Sequence, residues 1–379
     1  MNLIFSTLKI RVAAIAVFLI LISLTADQRT SALIAYPMFQ KGMNYVTWSD
    51  HAFASPSSDQ SIRSMAQIGV KCVSIVPTWY QDKYNSTVIE RNERTPSDES
   101  LKHAIRKARE EGMFVMLKPH IDLTSDEDNS RSDIGFNSDD KWKKWFDNYT
   151  EFIVHYARIA QSEDVEFFCV GTELSFAATR TRMWKEHIIP EVRKVFKGQI
   201  MYAANWDEYA NVEFWDALDY AGIDAYFPLA DKGRPNYEEL KQGWRKWIKD
   251  IEEWVAKVKK PVVFTECGYA SVNTAAVKPW EENKQSKPNP ELQADCYKAL
   301  MEELWDKEWF FGVYWWNWNT YPGSGGTNSR DFTPQNKPAA ECIRQWYKKN
   351  IKKSFIVEEE DVFPEAGRSN TTYSPSQKQ

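Results

Sequence analysis

Two short stretches carry the residues that could do chemistry. Phe167 to Ser175 reads FFCVGTELS: an apolar run ends at Gly171 and is followed at once by Glu173. Val262 to Ser271 reads VVFTECGYAS, in which Val262, Val263 and Phe264 lead to Glu266. An apolar run closed by an acid is how a buried parallel strand brings a carboxylate to the mouth of a barrel. Two carboxylates from distant strand ends suit cleavage of a glycosidic bond, one as a protonated acid and one as a charged nucleophile. Taken singly, each glutamate reads as a strand-end ion pair. Together, inside the repeat described next, they read as catalytic.

The chain that must position them alternates strand and helix between residues 40 and 352. Strand patterns fall at Gly42–Trp48, Val70–Val76, Met113–Pro119, Phe167–Val170, Ile200–Ala204, Tyr220–Tyr226, the run ending in Glu266, and Phe311–Trp318. Helical patterns lie between them. Ser58–Ile68 is closed by Gly69, and Thr95 is expected to cap a helix that runs to Glu111. Ser138 caps a helix to about Gln161; Arg180–Phe196, Tyr237–Val258, Pro290–Trp305 and Lys337–Ile351 follow. Eight such units predict a single (β/α)8 barrel. No GxGxxG follows the first strand, so a dinucleotide-binding sheet has no support.

Functional residues of a barrel sit at the C-terminal ends of its strands. Those ends read Trp48, Trp79, His120, Glu173, Asn205, Tyr226, Glu266 and Trp316, with no lysine suited to a Schiff base and no phosphate loop. Carboxyls on the fourth and seventh strands face each other across the mouth, where the retaining separation of about 5–5.5 Å is within reach. Tyr226 is placed to hydrogen-bond Glu266. Trp316 is a candidate platform for the reacting sugar, and Trp48 and Trp79 for its neighbours. His120 and Asn205 are candidate hydroxyl contacts. His120 and Asp122 lack a third ligand at useful spacing, so neither a metal nor a cofactor is expected.

The segments KGMNYVTW, VGTELS, IDAYFPL, TECGYAS and GVYWWNW resemble glycoside hydrolase family 113, within clan A, over roughly Lys41 to Tyr347. The resemblance implies a retaining endo-β-1,4-mannanase with Glu173 as acid/base and Glu266 as nucleophile. Many clan A families place Asn before the acid/base to hold the sugar 2-hydroxyl; this chain has Thr172, a shorter donor. The competing readings are a retaining enzyme on another β-glycan, such as glucan or xylan, and a carbohydrate-binding barrel without catalysis.

Composition fits this frame. The chain of 379 residues is 43% hydrophobic and 27% charged, as in globular proteins, and its 17 Trp suit sugar binding. A net charge of −5 argues against nucleic acid as a partner. A β-linked polysaccharide or oligosaccharide is the expected partner, and the protein is expected to be a monomer. Lys9 and Arg11 precede an apolar run from Val12 to Leu24, with Thr30, Ser31 and Ala32 after it. Residues 1–32 therefore read as a secretory signal, or alternatively an N-terminal anchor. Export with signal cleavage predicts no stable membrane association. Export would also permit disulfides, and of five Cys only Cys296 and Cys342 suggest a pair. Asn85, Asn148 and Asn370 open glycosylation triplets. Residues 353–379, acidic from Glu358 to Asp361 and then polar, read as a disordered tail.

Overall fold

A computed structural model describes residues 33–36, 39–351, 353 and 355–358. The strand patterns become β1 Gln40–Val46, β2 Cys72–Val76, β3 Phe114–Leu117, β4 Phe167–Thr172, β5 Gln199–Asn205, β6 Tyr220–Asp224, β7 Val262–Cys267 and β8 Phe310–Asn319. Each pairs in parallel with its neighbours in sequence, and β8 closes on β1, giving a closed eight-stranded barrel. Nearly every strand residue is buried, because helices cover one face and the barrel interior the other. The interior face is a small cluster of its own, including Cys72, Met116, Phe167, Cys169, Met201, Tyr220, Val263 and Phe311. Side chains on a strand alternate with period two. The face that carries Met116 therefore also carries Lys118, and the face that carries Tyr220 also carries Asp224.

The covering helices include α1 Pro56–Gln67, α2 Asp98–Glu110, α3 Asp139–Ser162, the short α4 Ser175–Ala178, α5 Ile189–Val195, α6 Tyr237–Val258, α7 Pro290–Leu304 and α8 Pro338–Tyr347. Ser138 caps α3 and Asn236 caps α6 with a full capping box. The cap of α2 is Ser97 and not Thr95: Ser97 Oγ accepts from Ser100 N, while Thr95 Oγ1 donates to Thr78 O. The pattern Arg180–Phe196 breaks into Thr181–Met183, a π-helical turn Trp184–Ile188, and α5. That turn brings Trp184 against Gly171, where an added Cβ would stand 2.8 Å from the indole.

Three features depart from the sequence pattern. First, Thr78–Gln81 and His120–Leu123 form a separate two-stranded parallel sheet, with Thr78 opposite His120 and Trp79 opposite Ile121. Trp79 and His120 are thus not the last residues of barrel strands. Second, Phe355–Glu358, assigned to the disordered tail, is a strand paired with Leu33–Tyr36. Its Phe-Ile-Val run favours extended structure. The remainder of the tail from residue 359 and the proposed signal at 1–32 lie outside the described residues. Third, all five Cys are free thiols, so Cys296 and Cys342 do not pair. Among the described residues no helix is long and apolar enough to cross a membrane.

Candidate active site

Both glutamates owe their direction to an irregularity in the strand that carries them. On β7, Phe264 pairs with Ile223 but Glu266 pairs with Asp224, so two steps on one strand match one on the other. Strict alternation would set Glu266 on the outer face with Phe264. The bulge turns it inward beside Asp224, as bulges next to active sites do. On β4 the register shifts between Cys169 and Thr172. Thr172 then faces the interior, with its hydroxyl 3.7 Å from Cys169 Sγ. Glu173 leaves the strand at φ 53, in the left-handed region that costs a non-glycine residue about 1–3 kcal/mol. Three bonds hold that turn: Glu173 N to Ala203 O at 2.8 Å, Ser132 Oγ to Glu173 O at 3.0 Å, and Leu174 N to Tyr202 OH at 3.0 Å.

Around Glu266 the donors are well defined. The Tyr226 hydroxyl donates to Oε2 at 2.6 Å, and the Lys118 ammonium bonds to Oε1. His120 Nε2 stands 3.6 Å from the same oxygen without a hydrogen-bond partner among the described residues. Its ring stacks on Trp316, centroids 6.1 Å apart and planes within 7°. The Trp316–Asn317 peptide is cis. Around Glu173, Arg131 donates from Nη1 to Oε2 at 3.0 Å and its other nitrogens hold Asp122 and Ile121 O. Asn205 Nδ2 donates to Ser132 Oγ at 2.8 Å, so it steadies the loop beneath Glu173.

Charge decides protonation here. Four carboxyls, Glu173, Glu266, Asp224 and Asp122, share two cations, Lys118 and Arg131. Burial works against the charge on Lys118, but Asp224 and Glu266 outweigh it and raise its pKa, so it stays an ammonium. Burial likewise opposes Arg131, and Asp122 and Glu173 hold it charged. Two carboxyls lose the competition. Burial, then the charge of Glu266, pushes Asp224 well above the usual range. Burial pushes Glu173 up to about 7, with Arg131 pulling down and Glu266 pushing up. His120 is driven well below its ordinary value by burial and by Arg131 and Lys118, so it is a neutral imidazole. Tyr226 is raised by burial and by Glu266 and remains a phenol donor. The outcome is a carboxylic acid, Glu173, beside a second carboxyl, Glu266, oriented by two donors, in one buried cluster.

Reactivity that needs the Glu173 proton is therefore expected below about pH 7 and lost as pH rises through it. The pH profile of kcat/KM checks this; a profile flat from pH 6 to 9 would show that no such acid is used.

The site collects some expected residues and leaves others out. Glu173, Glu266, Tyr226, His120 and Trp316 meet around the two carboxyls. Thr172 is 2% exposed and faces the packed interior. Trp79 faces α3: its Nε1 donates to Tyr156 OH at 2.7 Å and its ring lies 5.4 Å from Phe152. Its register with Ile121 puts it on the opposite face of the small sheet from His120. Trp48 is 49% exposed beyond the end of β1. The sequence reading missed Lys118, Arg131 and Asp224. Lys118 stands just past β3 inside the site, and as a protonated ammonium it is not suited to a Schiff base.

The profile of glycoside hydrolase family 113 matches residues 44–337. Among solved structures, a family 113 β-1,4-mannanase in a complex superimposes with a TM-score of 0.75 at 28% identity, over 83% of this chain and all of its own. The family 113 β-mannanase AaManA from Alicyclobacillus acidocaldarius, in complex with ManMIm, gives 0.74 at 25% identity, over 82% of this chain and 97% of that one. A family 5 mannosidase from Rhizomucor miehei, at 12% identity and a TM-score of 0.58, shares the fold over 82% of this chain and 93% of its own. No curated relative matches the chain.

Proposed function

The chain belongs to glycoside hydrolase family 113, and we propose that it is a retaining endo-β-1,4-mannanase with Glu173 as acid/base and Glu266 as nucleophile. The observation that carries this reading is the unequal treatment of the two glutamates. Glu173 is raised to about 7 by burial, while Glu266 receives an ammonium and a phenol hydroxyl. The first can give a proton and the second is aimed and held.

In the first step a Glu266 oxygen attacks the anomeric carbon and the glycosidic C–O bond breaks. Its electrons go to the leaving oxygen, which takes the proton of Glu173. Esterification removes the negative charge of Glu266. That charge was one of the influences raising Glu173, so the carboxyl now ionises more readily. Glu173 can then accept a proton from water as the water attacks the glycosyl ester and releases Glu266. Arg131, bonded to Glu173 at 3.0 Å, stabilises the ionised state that this second step needs. Neutral His120 and Trp316 supply a hydrogen-bonding edge and a flat face for the sugar between them.

Mannan as substrate is supported by the solved relatives, a β-1,4-mannanase and a β-mannanase. Release of reducing ends from β-mannan, β-glucan and xylan tests it. Mannan should be cleaved at least about tenfold faster, a difference of about 1.4 kcal/mol in transition-state binding. Its viscosity should fall before much reducing sugar accumulates, as internal cleavage requires. Faster cleavage of glucan or xylan would reassign the substrate. The same assay on culture medium and washed cells tests export, which with a monomeric state belongs to this proposal.

A further inference from the structure

The bulge that turns Glu266 inward is held from a strand that does not pair with β7. Asn44 lies on β1, and β8 stands between β1 and β7 in the barrel. Asn44 pairs with Ser74, and Ser74 with Met116 of the interior cluster, so all three share the interior face. The Asn44 side chain is fully buried there. Its Nδ2 donates to Thr265 O on β7 at 3.0 Å and to Tyr314 O on β8 at 3.2 Å. Both partners are carbonyl oxygens, which fixes the amide nitrogen toward them and the amide oxygen away. That oxygen has no hydrogen-bond partner among the described residues.

These two carbonyls sit where the pairing of β7 with β8 is irregular. Phe264 pairs with Val313 and Cys267 with Trp315, so three steps on β7 match two on β8. Thr265 and Tyr314 lie inside that stretch. A bulge disturbs the ladder locally, and a buried carbonyl there needs a donor from elsewhere. One amide nitrogen serves both, with one hydrogen each. The other side of the bulge is held from β6 and the residue after it. Thr265 Oγ1 donates to Asp224 Oδ1 at 2.7 Å, and Ala225 N donates to Glu266 O at 2.7 Å. Thr265 is thus gripped by its carbonyl from β1 and by its hydroxyl from β6, and Glu266 is the next residue. Filling space at position 44 would need only an apolar side chain, such as Met116, Met201 or Val263 around the same interior. Burying an amide there is unfavourable unless its hydrogen bonds are used.

Tyr226 and Lys118 orient the tip of the Glu266 side chain, but its backbone position is set by the bulge. We propose that Asn44 is a positioning residue for the nucleophile: by holding Thr265 O it fixes the bulge, and with it the line along which the Glu266 carboxylate meets the anomeric carbon. Attack requires the reacting atoms about 3–3.5 Å apart and aligned, so a small shift of the carrier strand is felt in the rate. Asn44 acts through the backbone of β7 and not on the sugar. The proposal rests on Glu266 being the nucleophile.

An activated aryl β-mannoside whose glycosyl ester turns over slowly traps the enzyme after the first step. Its leaving group needs little help from Glu173, so the trapping rate reports attack by Glu266. Mass spectrometry against time and concentration gives a first-order rate constant at saturation and a half-saturating concentration. Neither depends on the fraction of folded enzyme, so a loss of stability alone moves neither. Asn44→Ala should lower the rate constant on the order of tenfold and leave the half-saturating concentration within about twofold. Asn44→Asp, close in size, can hold at most one carbonyl with a protonated O–H and should lose less, about threefold. Ser74→Ala, at the register neighbour on the same face, removes a buried hydroxyl that bonds neither carbonyl and should leave the rate constant unchanged. A wild-type rate constant in Asn44→Ala, or in Asn44→Asp where the Ala variant does not fold, overturns the positioning role and leaves the nucleophile assignment intact. An equal fall in Ser74→Ala, or a change confined to the half-saturating concentration, does the same. If the wild-type protein forms no ester on Glu266, the nucleophile assignment fails and the positioning role with it.

Discussion

Replacing Glu266 by Ala is expected to remove nearly all turnover, on the order of 10⁴-fold or more, because in the proposed mechanism Glu266 is the group that forms the glycosyl ester. Loss of structure must be separated from loss of chemistry. Lys118 is fully buried, and with Glu266 gone its nearest carboxylate is Asp224 at 3.8 Å. Removing one partner of a buried pair destabilises by about 3–5 kcal/mol in typical cases. The Ala variant should therefore melt at a lower temperature as well as lose activity. Glu266→Gln resolves the ambiguity: its amide oxygen can still accept from Tyr226 or Lys118, yet an amide is no nucleophile. It should keep more of the melting temperature than Ala does and be as inactive. Mass spectrometry after mixing with a slow-turnover glycoside should show a covalent adduct on the wild-type protein and none on either variant. Activity in Glu266→Gln within tenfold of wild type would remove Glu266 from the nucleophile role.

The two glutamates were legible because an acid closing an apolar run is a local pattern. Their geometry was not. Alternation alone directs Glu266 away from the interior, and only the bulge at Thr265 reverses it. Lys118 was within reach of the same alternation, since Met116 and Lys118 share a face. Arg131 gave no signal, because it comes from a long loop with no periodicity. Asp224 sits in a strand that reads as apolar, and its partners arrive from β3 and β7. Trp79 was misplaced for a related reason. An aromatic just past a strand looks like a rim residue, but a register with Ile121 sets it against α3. The fold was easier to read, since each helix and strand carries its period within a dozen residues. That Cys296 and Cys342 do not pair was not readable, since Cys spacing says nothing of distance in space.

Glu173→Ala should behave differently, and the difference assigns the roles. Arg131 keeps its pairing with Asp122 and its bond to Ile121 O when Glu173 is lost. The variant should therefore stay folded. Cleavage of mannan should fall on the order of 10²–10⁴-fold, the usual contribution of a positioned proton donor. An activated aryl glycoside needs little help leaving, so its first step should largely survive. The ester then accumulates, because no base remains to activate water. Azide needs no base. It should restore turnover of Glu173→Ala and give the β-glycosyl azide, by a second inversion at the anomeric carbon. With Glu266→Ala, azide enters the vacated space and gives the α-azide in a single inversion. Product stereochemistry thus assigns each residue independently of rate. The fall in kcat/KM through about pH 7 should also disappear in Glu173→Ala, because the group that titrates there is gone. Exchanged anomers would mean that the roles are swapped. Full activity of either variant on mannan would end the two-glutamate mechanism for this barrel.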